Sequence, residues 1–363
     1  MALSKVDLAN MVENVAPAST IPDVNFRNFI INGDMSINQR GQQTGLATGY
    51  TECDRFALYN SGTSVQFTTD QDTSVPSGQN FSSSLKLTLT TADSSITGSN
   101  EVQLYQNIEA QNLQSLGFGT SSAKAIVLSF WVKSSVAGDY VLWVYKADTT
   151  SRQIAKLYNI ASADTWQKVT FEIPADTDSG ATIANDNGNG LSIVWQLAAG
   201  PNWTSGTLPT AWEDLVNANR YVGQNNTFIG TTNATFFLTG VQLEVGTTAS
   251  DFEFLPVDIN EKRCFRYFQT YTVMGTMGAR NSTDVEGSFE FHTPMRAAPS
   301  ASQKTAKVFR DMFAGTFTQS SAEIGIIDSS DKGLFIGMGQ LSGLTQGRIM
   351  CPTSGTSEFS SEL

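Results

Sequence analysis

Beyond Phe26 the chain is a succession of short runs in which apolar residues alternate with polar ones or follow one another, broken by Gly, Asn, Asp and Ser. A period of two sends every second side chain to one face, so these runs predict β-strands, and their wealth of Val, Ile, Phe, Tyr, Trp and Thr points the same way. The clearest cover residues 84–90, 125–133, 138–145, 166–173, 191–197 and 234–244. The polar stretch between the first two, ending in Ser115–Gly119, predicts a loop with at most a helical turn near 110–116. No helix of real length is predicted before Asn260–Thr270, where charged and aromatic residues gather. Strands joined by turns, without intervening helices, form antiparallel sheets that each bury one face, and several of these pack as a sandwich or jelly roll. No fixed-period repeat is present, which argues against a β-helix or a propeller.

Pro17–Pro22 sets off a short N-terminal segment in which Leu8, Met11, Val12 and Val15 have loose helical spacing. That pattern suits an amphipathic helix or an arm that orders on a partner. A second boundary is expected near Pro256. The predicted organisation is an arm over 1–25, a jelly roll over 26–257 and a smaller C-terminal β domain over 258–363, opened by a short helical linker at 260–270. In the last of these, Phe289, Phe291 and Phe309 are expected in core strands, while the Ser- and Gly-rich stretch Ser354–Leu363 reads as a partly disordered tail. The fold class is therefore all-β.

Composition narrows the function. Of 363 residues 40% are hydrophobic and only 15% charged, which leaves a polar, uncharged surface of Ser, Thr, Asn, Gln and Gly. With 22 basic against 34 acidic side chains the net charge is −12, so no basic field exists to attract nucleic acid. No apolar run approaches the roughly 20 residues that span a bilayer, and Met1–Leu8 lacks the apolar stretch of a signal peptide, which predicts synthesis and folding in cytoplasm without membrane insertion. Cys53, Cys264 and Cys351 are isolated and odd in number, so neither a disulfide framework nor a zinc site is encoded and buried thiols are expected. The one histidine, His292, lies in an alternating run before Pro294, far from any nucleophile motif, and is read as a strand residue.

Several motifs carry a resemblance. Asn28–Gly41, Tyr50–Phe56, Phe236–Gly246, Phe252–Phe254, Cys264–Phe268 and the later Pro294–Pro299, in this order, resemble a family of tailed-phage virion proteins. Its members are tail fibres or fibre-like receptor-binding proteins with a jelly roll similar to carbohydrate-binding modules. Phe56 stands where a Trp is more usual. The resemblance implies a non-enzymatic, homotrimeric virion protein, assembled in the host cytoplasm, whose arm (Leu8, Met11, Val12, Val15) docks on other virion proteins and whose distal part contacts host surface glycan. A capsid fibre or decoration protein with a purely structural jelly roll is the alternative, and a polysaccharide depolymerase the third reading. Read physically, the same motifs are structural: Asn32-Gly33 is a turn after a first strand Phe29–Ile31, Asp54-Arg55 is an ion pair or turn cap with Phe56 directed into the core, and in Thr239–Glu244 Val241 and Leu243 share one face.

Candidate chemistry is sparse. A glycan hydrolase needs two carboxylates flanking a cleft, and Glu101, Glu109, Glu172, Glu213 and Glu244 occur singly. Oxygen-rich Gly loops around Asp176, Asp178 and Asp186 could wrap a structural Ca²⁺, with plain Asx turns as the competing reading and no other cofactor expected. For sugar contact, Trp203, Trp212 and Tyr221 stand out because flat rings stack on sugar faces and these lie in a long irregular insertion between strands. Anchoring of that insertion on its own domain is the competing reading.

Overall fold

The computed structural model describes residues 26–272, 275–311 and 313–363, so the N-terminal arm with Leu8, Met11, Val12 and Val15 lies outside the described residues. Thirteen strands build the first unit: β1 Gln43–Leu46, β2 Gly49–Tyr50, β3 Ala57–Ser61, β4 Gln66–Asp72, β5 Ser84–Thr91, β6 Glu101–Glu109, β7 Ile126–Ser134, β8 Gly138–Lys146, β9 Arg152–Ile160, β10 Gln167–Ile173, β11 Asn189–Ala199, β12 Glu213–Asp214 and β13 Thr235–Val245. They form a six-stranded sheet in the order β1-β4-β5-β13-β7-β10 and a seven-stranded sheet in the order β12-β9-β8-β11-β6-β3-β2. Successive strands pass back and forth between the two, which makes an antiparallel jelly-roll sandwich. Alternation does what it must: Ile126, Leu128, Phe130 and Val132 of β7 enter the shared core, while Ser129, Trp131 and Lys133 face outward. Phe56 is fully buried there beside Trp195, and Trp195 and Tyr158 both meet Phe130 edge-on.

Two elements depart from expectation. Residues 101–109, expected as loop, are a central strand, followed by a 3₁₀ helix over Ala110–Leu116. The alternation Val102, Leu104, Ile108 is interrupted by Gln106, which is buried because its amide acts as a strand partner: Oε1 accepts from Ile31 N–H (2.9 Å) and Nε2 donates to Ile31 C=O (3.0 Å). Phe29–Ile31 is accordingly a bend and not a strand. In the next turn it is Asn32 that takes the left-handed conformation (φ 60°), whereas Gly33 is needed for proximity, since a Cβ there would lie 2.1 Å from the carbonyl oxygen of Val241.

Helix α1 (Val257–Phe265) begins three residues before the expected linker, and the turn Arg266-Tyr267 leads from it into β14 (Phe268–Tyr271). The remaining strands are β15 Met277–Ala279, β16 Val285–Glu290, β17 Ser300–Gln303, β18 Val308–Asp311, β19 Gly315–Thr318, β20 Gly325–Ser329, β21 Gly333–Met338, β22 Ile349–Ser354 and β23 Ser357–Ser360. They pair as a three-stranded sheet β14-β23-β17 and a seven-stranded sheet β19-β18-β22-β15-β16-β21-β20 around a separate core that includes Phe291, Phe309 and Phe359, with Phe289 packed against it.

The stretch expected as a disordered tail is instead a seam between the two units. β23 is the middle strand of its sheet and Phe359 is fully buried. Beyond it, the Glu362 carboxylate pairs with both Arg40 (2.8 Å) and Arg55, whose side chain is 1% exposed and whose guanidinium lies 3.5 Å from the Tyr267 ring centroid. Arg296 donates to the carbonyls of Ser361 (2.6 Å) and Glu362 (2.9 Å), and Tyr50 and Asn107 donate to that of Leu363. Asp54 and Arg55 are therefore not partners of each other; Asp54 accepts from Gln39 and Arg40. On the other side of the seam the buried Glu109 carboxylate receives Arg266 (2.8 and 2.5 Å) and the Tyr267 hydroxyl (2.8 Å).

Candidate functional site

The insertion between β11 and β13 folds over the outer face of the seven-stranded sheet of the jelly roll. Tyr221, expected on an exposed loop, is fully buried: its ring meets Trp143 edge-on at 5.5 Å and its hydroxyl accepts from Gln103 Nε2 (2.7 Å). Trp203 packs on the same cluster, with the Arg220 guanidinium between it and Trp143 at 4.8 and 4.7 Å from the ring centroids. Trp212 sits farther along, edge-on to Phe118, its Nε1 donating to Pro174 C=O (2.8 Å). Trp203 and Tyr221 are thus brought together and Trp212 stands apart, and all three tie the insertion down. Several polar groups of this face serve one another, Gln103 also bonding Glu101 and Gln153 and Asn219 both donating to Glu213, while Trp203 Nε1 and Arg220 Nε are buried with no acceptor among the described residues. Burial pushes the Glu101 carboxyl up, opposed by Arg220, and the Tyr221 hydroxyl is pushed well up by burial and by Glu101 beside it.

Of the three aspartates, Asp176 and Asp178 both lie against Arg152 and Asp186 stands apart. Asp176 is buried in a two-pronged pair with Arg152 (2.5 and 3.1 Å), Asp178 caps the short 3₁₀ turn Ser179–Ala181, and Asp186 closes an Asx turn on the Gly188 N–H. Among the described residues no group of three or more His, Cys, Asp or Glu is placed to hold a metal ion. His292, expected in a strand, lies in a bend past the end of β16 with its ring stacked on Tyr271 at 4.7 Å. Burial pushes the Cys53 and Cys264 thiols well up, as inert core groups, whereas Cys351, also expected buried, is half-buried.

The open face is that of the six-stranded sheet. Here an uncovered hollow of about 380 Å³ is walled by Trp131, Phe81, Phe252 and Phe254 and rimmed by Gln79, Asn80, Asp251 and Lys168. The three phenylalanines form a triangle with centroids 4.9–5.3 Å apart, and Phe254 is 47% exposed. Lys168 stands directly opposite Trp131 across the β7–β10 pair. Among the described residues the side chains of Gln79, Asn80, Lys168 and Asp251 make no hydrogen bond, so flat apolar walls meet free donors and acceptors at one place. None of these residues stands out in the sequence as a ligand contact. The alternation of β7 was the available signal for Trp131, since it places the ring on the side away from Phe130 and Val132.

A glycine makes the hollow. β13 carries a bulge between Thr239 and Gln242, which switches its core-facing residues from Phe236 and Leu238 to Val241 and Leu243. Gly240 sits at the bulge with φ 60°, and a Cβ there would lie 2.6 Å from Phe81 Cζ and 3.0 Å from Trp131 Cδ1. Gly240→Ala is expected to cost about 1–2 kcal/mol in backbone strain alone. The substitution also pushes the two rings apart, so denaturant unfolding should show the loss and Trp131 fluorescence should shift in the still-folded protein. An unchanged emission maximum and midpoint would refute this account of the bulge.

No family model matches the chain, and no curated protein matches it. Among solved structures it is similar to the enzymatically active domain of tailspike protein 4 of bacteriophage CBA120, at 13% identity and a TM-score of 0.32, covering 61% of this chain and 22% of that one. It is similar to a family 11 carbohydrate-binding module from Clostridium thermocellum in complex with a β-1,3-1,4-mixed-linked tetrasaccharide, at 12% identity and a TM-score of 0.27, covering 58% of this chain and 98% of the module. A family 61 module in complex with β-1,4-galactotriose gives 9% identity and a TM-score of 0.29, over 61% and 99% of the respective chains. The fold class rests on the chain's own strand order: all-β, an antiparallel jelly-roll sandwich followed by a smaller C-terminal β unit.

Proposed function

We propose that this chain is a non-catalytic virion appendage of a tailed phage, a trimeric tail fibre or receptor-binding protein whose jelly roll holds a host surface glycan in the hollow on its six-stranded sheet. The observation that carries the reading is that hollow: Trp131, Phe81 and Phe254 offer ring faces for the apolar face of a sugar, and Asn80, Gln79, Asp251 and Lys168 offer unengaged partners for its hydroxyls. The motif resemblance supplies the virion context and the trimer, with residues 1–25 as the docking arm. The opposite sheet is covered by its own chain, which supports assigning the ligand to the open side.

The test is titration of the purified protein with a panel of bacterial surface polysaccharides. Trp131→Ala should weaken binding about tenfold, equivalent to roughly 1.4 kcal/mol of lost stacking. Tyr59→Ala, an exposed ring on the other sheet, should leave it unchanged. Equal affinity for Trp131→Ala and the parent, with the fold intact, would reject the site; release of reducing sugar from the bound polysaccharide would reject the non-catalytic assignment.

A further inference from the structure

Next to the hollow, the same sheet face carries a row of side chains that needs its own explanation. Phe237 on β13 stands opposite Lys133 on β7 and Lys86 on β5, and Trp166, just before β10, closes the row. The Lys133 ammonium lies 3.9 Å from the Phe237 ring centroid and 5.3 Å from that of Trp166, and donates to Ser74 Oγ (2.7 Å). Lys86 is neutralised by Asp72 at 3.3 Å. Lys133 and Lys168 are different: among the described residues neither has a carboxylate within ion-pairing distance, although acidic residues outnumber basic ones 34 to 22. Partial burial pulls the Lys133 amine down, with Asp72 and Asp164 opposing from farther off. A half-buried ammonium between two rings bears a desolvation cost that an arriving anion would offset. Trp166 Nε1, in the same row, is buried with no acceptor.

We propose that the glycan held on this face is acidic, with Lys133 and Lys168 receiving carboxylate or phosphate substituents of a chain whose sugar rings lie on Trp131 and Trp166. This rests on the glycan-binding reading given above. An ammonium meeting an anionic oxygen gains the attraction of two full charges on top of the hydrogen bond, which a neutral hydroxyl does not offer, so the two lysines discriminate by charge where the rings do not. The net charge of −12 opposes the approach of any polyanion, so ligands matched in backbone are a cleaner probe than salt dependence.

The full chain is titrated with polygalacturonate, with the same polymer after carboxyl reduction, and with polyglycerol phosphate. At least one polyanion should bind about tenfold or more tightly than the reduced polymer; preference for polygalacturonate identifies carboxylate as the recognised group, preference for polyglycerol phosphate identifies phosphate. Lys133→Gln with Lys168→Gln should erase the preference and keep the residual affinity for the reduced polymer, whereas Trp131→Ala should weaken all three. Equal binding of the charged and reduced polymers, or a preference that survives the double lysine substitution, overturns the acidic specificity alone. Binding of none of the three overturns this inference, and failure of the wider polysaccharide panel as well overturns the glycan reading beneath it.

Discussion

Glu362→Gln should lower the free energy of unfolding by about 3–5 kcal/mol, the cost typical of removing one partner from a buried ion pair. The carboxylate is 5% exposed and serves two guanidiniums, those of Arg40 and Arg55, with exposures of 9% and 1%. Its loss leaves Arg55 with the Asn107 carbonyl and the Tyr267 ring as partners, neither of which carries a charge. A glutamine keeps the volume, so no cavity confounds the result. Glu358 is the control: its partner Lys304 is half exposed at 3.5 Å, and Glu358→Gln should cost less than about 1 kcal/mol. Denaturant unfolding of the two variants decides the matter. If Glu362→Gln falls no further than Glu358→Gln, the seam is not held by this carboxylate. Combining Arg55→Met with Glu362→Met should recover part of the loss, because two matched apolar groups avoid the unpaired charge.

Gln106→Met should cost about 2–5 kcal/mol. The substitution removes both hydrogen bonds to Ile31 while nearly preserving side-chain volume, leaving a buried N–H and a buried C=O unpaired at about 1–3 kcal/mol each. The damage should be local before it is global. Residues 28–37 are held to the sandwich by this amide, by Asn28, which bonds Val241 and Leu243, and by backbone bonds of Phe29 and Gly33 to the same strand, while Asn260 of α1 bonds Asn32. Hydrogen exchange at the Ile31 amide should therefore accelerate more than exchange at core strands such as β7 and β11. Uniform acceleration, or a loss below 1 kcal/mol, would show that Gln106 is an ordinary buried polar residue and not a structural clamp.

These two residues also show where the sequence was legible. Strands with a clean apolar face, such as β5, β7 and β10, follow from alternation alone, because one face must be buried whatever the topology. β6 was hidden by Gln106, whose polarity is satisfied by a backbone 75 positions away and so has no local sign. The tail was hidden by composition: Ser357, Phe359 and Ser361 point inward at period two, but two of the three are serines, and their burial depends on β14 and β17 flanking them. For the candidate site the failure ran the other way. Irregular segments attract attention because loops carry function, yet the insertion with Trp203, Trp212 and Tyr221 spends its aromatic residues on covering a sheet. The open site is built from a strand residue, Trp131, and from Phe252 and Phe254, which were visible as a motif but whose meeting with Phe81 depends on a bulge at Gly240.

The clasp of Arg55 by Glu362 closes a span of 307 residues, and that of Arg40 one of 322. Contacts of such separation form late, since the closure entropy of nearly the entire chain must be met before they repay it. The sandwich and the C-terminal unit are consequently coupled in time as well as in space. The seam should be absent from early folding species, and once formed it makes the two units lose structure together, in one cooperative transition and not in two steps.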